Sequence, residues 1–151
     1  MSETLELKNS NDKNIQINCV RDFTFTKNED AAEVKKLYKI IAGEDGSIKV
    51  NDKHLPYATD RNGWLIQIDD VYLIDKNLII IVSPDGIIAI YTRQSEASML
   101  AENNNWQYAI LREDSECYYE IKEATCIDSF LSLHIKTEFS GVLQLSFDLS
   151  I

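Results

Sequence analysis

The chain has 151 residues, a length that suits one domain spanning 1–151. Its 44% hydrophobic content is ordinary for a globular protein and excludes wholesale disorder. Twenty-five acids against fifteen bases give a net charge of −10, which speaks against sequence-independent nucleic-acid binding, because that needs Lys and Arg to neutralise phosphates.

The chain begins Met1-Ser2-Glu3-Thr4-Leu5, without the cationic start and apolar core of a secretory leader. Apolar runs such as Leu78–Val82 are far too short to span a bilayer, so a cytoplasmic protein with no membrane partner is expected. Three cysteines, Cys19, Cys117 and Cys126, with no CxxC spacing, read as reduced thiols rather than a disulfide or zinc framework.

Residues 1–14 are polar and Asn-rich, a frayed arm or weak edge strand. From Ile15 to Phe25 the odd positions Ile15, Ile17, Cys19, Phe23 and Phe25 are apolar, the pattern of a strand with one buried face. A helix is expected over 29–42. Asn28 can cap it, acids fill its first turns and lysines its last, and Ala31, Val34, Leu37, Tyr38 and Ile41 recur at three- and four-residue steps.

Further on, Trp64, Ile66 and Ile68 alternate, and Val71–Ile74 follows. Leu78–Val82 and Ile87–Tyr91 flank Ser83-Pro84-Asp85-Gly86, the clearest hairpin in the chain. Both of its strands are apolar on both faces, so they should be central, with the helix covering one side. A short second helix is expected over 96–103, capped by Ser95. The last third reads as a meander of strands near 106–112, 117–123, 129–137 and 141–149. The expected class is α+β, mainly β: a curved antiparallel sheet or open barrel carrying one main helix and the short second one.

Catalytic signatures are missing. There is no GxGxxG, P-loop, HExxH or EF-hand pattern, and the two histidines, His54 and His134, lie eighty positions apart. Asp69-Asp70 and Glu44-Asp45 read as turn residues. No enzyme activity, catalytic residue, metal or cofactor is expected.

One stretch stands out. Between Glu102 and Asp128 seven acids meet only Arg112 and Lys122, a net of −5, beside Trp106, Tyr108, Tyr118 and Tyr119. Strand alternation would place Tyr118 with Glu120 on one face, and Trp106 with Tyr108 on one face of the strand before it. Two readings stay open: an ordinary solvated face with its rings in the core, or a surface on which rings supply area and acids steer a basic partner. The second nominates Glu102, Trp106, Tyr108, Glu113, Asp114, Glu116, Tyr118, Glu120 and Glu123 as partner-binding residues.

A small acidic domain without catalytic signature is similar in kind to bacterial immunity proteins, which neutralise a cognate basic toxin, often a nuclease. The likeness is one of profile and carries no functional residue across. The expected function is a protein-binding inhibitor of a basic protein. The alternatives are a small-ligand β-barrel with Trp64, Trp106 or Tyr57 near its mouth, or a non-catalytic subunit or adaptor of a larger assembly. Oligomeric state is not legible.

Overall fold

The computed structural model describes residues 7–8, 13–93 and 106–150, and among them it is all β, with eleven strands and no helix. The first sheet is a meander of β1 (Ile17–Glu29), β2 (Ala32–Gly43), β3 (Ile48–Val50) and β4 (Lys53–His54). The second contains β5 (Asp70–Asp75), β6 (Leu78–Val82), β7 (Ile87–Thr92) and β8 (Gln107–Glu113). The third contains β9 (Tyr118–Ile127), β10 (Phe130–Thr137) and β11 (Val142–Asp148). All pairings are antiparallel between consecutive strands.

The α+β expectation is therefore overturned: residues 32–43 form β2, paired along its whole length with β1. The three- and four-residue steps were coincidental. Tyr38, Ile40 and Ala42 enter the core at alternate positions, whereas Leu37 is 58% exposed and Val34 43%. Residues 38–41, Tyr-Lys-Ile-Ile, are stiff or aromatic at three of four positions, which favours a pleated strand once a partner strand lies alongside. The segment read as a helix start is the hairpin tip. Glu29 pairs with Ala32, and Asp30 and Ala31 both have positive φ (49° and 63°), the two-residue type I′ geometry that matches strand twist. The second helix expected over 96–103 lies outside the described residues.

A single curved sheet or open barrel is likewise replaced by three stacked sheets. The hairpin of β6 and β7 is central, as its two-sided apolarity required. Ile79, Ile81, Ala89 and Tyr91 face Tyr38, Ile40 and Ile48 of the first sheet, so a sheet takes the place assigned to the helix. Leu78, Ile80, Val82 and Ile88 face Ile121, Leu131, Leu133 and Ile135 of the third. Fully burying each such side chain contributes roughly 1.5–3 kcal/mol, so these two cores dominate cohesion. The outward faces of the flanking sheets are mainly polar, with Asp22, Thr24 and Thr26 on one and His134, Gln144 and Ser146 on the other.

The first strands of the sheets also meet. Arg21 in β1, Asp70 in β5 and Ile121 in β9 are joined by hydrogen bonds, which tie the three sheets together at one junction. The N-terminal arm contributes Leu7, which is 1% exposed and reaches Gly43 with Ile15.

Candidate functional site

The line where the three sheets converge is built on Asp70. Its carboxylate is buried at the start of β5. Oδ2 accepts from the Ile121 N–H at 2.7 Å and from Arg21 Nη1 at 3.1 Å, while Oδ1 accepts from the Val71 N–H at 2.9 Å. The Cys19 thiol donates to Oδ1 at 3.4 Å. Burial, reinforced by the Asp70 charge, pushes that thiol up to about 12, so it stays protonated and is a poor nucleophile.

Arg21 completes the junction. Its Nη1 also donates to the carbonyls of Val71 (3.1 Å) and Ile121 (3.2 Å), and its guanidinium lies over the rings of Phe23 and Tyr72 at 5.4 and 5.2 Å. An arginine suits this place because its fork can serve several oxygens while its plane stacks on aromatics.

This junction forms part of an open cleft of about 410 Å³, lined on one side by Asn18, Cys19, Val20 and Arg21 and on the other by Asp69, Asp70, Tyr119 and Glu120. Asp69 is half-buried, and burial first, then the adjacent Asp70 charge, raise its pKa. Tyr119 is 38% exposed, with Lys136 Nζ 5.5 Å from its ring centre. Glu120 pairs with Lys122 at 3.2 Å where both side chains are well exposed. Such a pair is worth little and can be exchanged for another cation. Chemically the cleft offers the Asp69 and Glu120 carboxylates and the Tyr119 ring to a cationic group, while the Arg21 charge in its wall is offset by Asp70.

The nominated residues that the structure describes separate into five places. Trp106 is buried in the first core under the Arg93 guanidinium, 4.6 Å from its ring, and Tyr118 is wholly buried in the second core. Neither gives area to a surface. Tyr108 and Glu113 lie on the outer edge of the central sheet, beside the 57–65 loop. There the Tyr108 and Thr59 hydroxyls are 3.0 Å apart and Glu113 accepts from the Arg61 N–H at 3.3 Å. Asp114 and Glu116 occupy the connection from β8 to β9. Asp114 is paired with Arg112 and caps the Ser115 N–H, which holds its carboxyl below the usual range, and Glu116 accepts from the Ser140 hydroxyl. Glu120 and Glu123 lie on β9, the first in the cleft and the second 3.6 Å from His134. Glu102 lies outside the described residues.

Simple alternation failed on β9 because the strand is bulged twice. Tyr118 pairs with Thr137 but Glu120 with Lys136, and Ile121 pairs with Ile135 but Glu123 with His134. Tyr119 and Lys122 are the extra residues, so Tyr118 and Ile121 both turn inward. The residues sequence reasoning missed are Arg21, Asp69 and Asp70. Arg21 did carry a signal: it interrupts an apolar parity between Cys19 and Phe23, the pattern of a charge with a buried partner.

Among the described residues, no group of three or more His, Cys, Asp or Glu side chains is placed to hold a metal ion, and no helix is long and apolar enough to cross a membrane. Compared with models of known protein families and with curated proteins, the sequence matches none of them.

Proposed function

We propose that this protein is a non-catalytic binding domain that neutralises a basic protein partner, an inhibitor of the immunity-protein kind acting in the cytoplasm. The observation that carries the reading is the convergence of Asp69, Tyr119 and Glu120 on one open cleft in a chain of net charge −10. A lysine or arginine entering it would meet the Asp69 and Glu120 carboxylates and the Tyr119 ring, with the Arg21 charge in the wall offset by Asp70, and the long-range field would steer its approach. Glu113, Asp114, Glu116 and Glu123 fit this reading as steering charges rather than anchors, since each is engaged locally. The three cysteines are free, as a reducing compartment requires.

The test is capture on the immobilised protein from a lysate of the source cell, with the bound protein identified by mass spectrometry. A basic protein should be retained at low salt and released as salt rises. The Asp69→Lys/Glu120→Lys pair should lower its capture at least tenfold, whereas Asp148→Lys on the remote β11 should not. Retention of no basic protein, or equal loss with Asp148→Lys, would overturn the reading.

A further inference from the structure

The last strand leaves its outer edge open. In the hairpin of β10 and β11 the Leu149 N–H donates to the Ser129 carbonyl and the Thr137 N–H to the Gly141 carbonyl. With Leu131 opposite Phe147 and Leu133 opposite Leu145, those bonds set the phase of the ladder, and the odd residues of β11 bond to β10. The backbone groups of Val142, Gln144, Ser146 and Asp148 therefore point away from the sheet, and none has a hydrogen-bond partner among the described residues. Natural sheets guard such edges with charges, prolines, bulges or a covering loop. Other edges here are guarded: β1 carries Arg21, Asp22, Lys27 and Glu29, β9 is bulged twice, and β8 lies beside the 57–65 loop. By contrast β11, Val-Leu-Gln-Leu-Ser-Phe-Asp, has no lysine, proline or register shift, and Asp148 is its one charge. Leu143, Leu145 and Phe147 on its inner face are only partly buried against the second core, whose margin is thus unfinished.

We propose that β11 is a self-association edge, which pairs antiparallel with β11 of a second copy about a two-fold axis at Leu145. In this register Gln144 exchanges backbone hydrogen bonds with the partner's Ser146, and Leu143 lies beside the partner's Phe147. Two-fold pairing of this kind keeps parity, so apolar side chains adjoin apolar ones on the inner face and polar ones adjoin on the outer. Two three-stranded sheets become one of six, and the second cores of the two copies join along it. Charge selects this strand for the contact: copies of net charge −10 repel, and β11 lets them meet with Asp148 opposite Val142 and no like charges opposed. A foreign strand would have to match the alternation of β11, which a second copy does by construction. The edge shares no residue with the cleft and does not depend on the partner-binding reading.

Analytical ultracentrifugation of the intact protein is the test. The wild type should pass from monomer to dimer as its concentration rises to about 0.1 mM. Added salt should tighten the dimer by screening its like charges, the reverse of its effect on a basic partner. The Gln144 N–H points to the open edge, so Gln144→Pro removes a donor there without breaking the ladder to β10. It should weaken the dimer about tenfold or more, while thermal unfolding shows the variant folded. Gln144→Lys/Ser146→Lys sets lysines opposite one another and should leave a monomer. Gln144→Glu/Ser146→Glu should likewise be monomeric alone, and the two variants mixed should form a mixed dimer. A wild type that stays monomeric at that concentration would overturn the proposal and leave the edge to a strand of another protein. So would a dimer indifferent to Gln144→Pro, or charge variants that form no mixed dimer.

Discussion

Arg21 and Asp70, 49 positions apart, form an ion pair at 3.1 Å on the line where all three sheets meet. The carboxylate side chain is 8% exposed and the guanidinium 31%, so the pair is buried mainly on the acid's side. Removing the acid would strand the cation and leave the Ile121 N–H without its acceptor. Asp70→Ala should therefore destabilise by about 3 kcal/mol, the low end for a broken buried pair because Arg21 keeps some solvent. The Arg21→Met/Asp70→Ala double variant should lose less than the sum of the single losses, with a coupling above about 1 kcal/mol in urea unfolding. Additive losses would mean that the pair does not hold the sheets together.

Ala31 offers a test in which two architectures give opposite signs. As a helix residue it would be weakened by glycine, by about 1 kcal/mol. In the type I′ turn its φ of 63° is strained for an L-residue, and glycine relieves that strain. Ala31→Gly should raise stability by about 1 kcal/mol, read as a higher urea midpoint with an unchanged slope.

How far the sequence could be read depended on whether one segment held enough information alone. The β6–β7 hairpin was legible, because runs apolar on both parities around Pro84-Asp85-Gly86 have few other solutions. Gly86, at φ 82°, closes the turn at its fourth position as expected, and a Cβ there would collide with the carbonyl oxygens of Asp114 and Glu116. The 32–43 segment was misread because its pattern satisfies two periodicities, and only pairing with β1 decides between them. The acidic-aromatic stretch was visible as composition, but the β9 bulges that send Tyr118 inward and leave Tyr119 outside leave no mark in local spacing. The Arg21–Asp70 junction joins residues far apart in the chain, which no window could connect.

Tyr118 carries a buried hydroxyl without a partner among the described residues. It lies in the second core, and burial raises its pKa further from neutrality. Such a buried, unpaired hydroxyl costs stability. Tyr118→Phe should be neutral or stabilising by up to about 1 kcal/mol at pH 7. A loss above that would reveal a hydrogen bond to buried water.

Asp69 links the cleft to pH. Its pKa is raised in the folded chain, by burial first and by Asp70 second, so the fold holds this proton more tightly than the unfolded chain does. The ionised carboxylate therefore opposes folding. The penalty begins as pH rises above the unfolded carboxylate value of about 4 and is complete above the raised folded value. Asp69→Asn should accordingly raise the urea midpoint at pH 7, with the gain fading to nothing below about pH 4. A cationic partner in the cleft would favour the ionised form, so wild-type capture of a basic partner should strengthen as pH rises through the same window. The Asn variant should lose that part of the pH dependence. A variant no more stable than wild type at pH 7 would show that neither burial nor the Asp70 charge disfavours the ionised Asp69, and the cleft would then have little electrostatic reason to attract a cation.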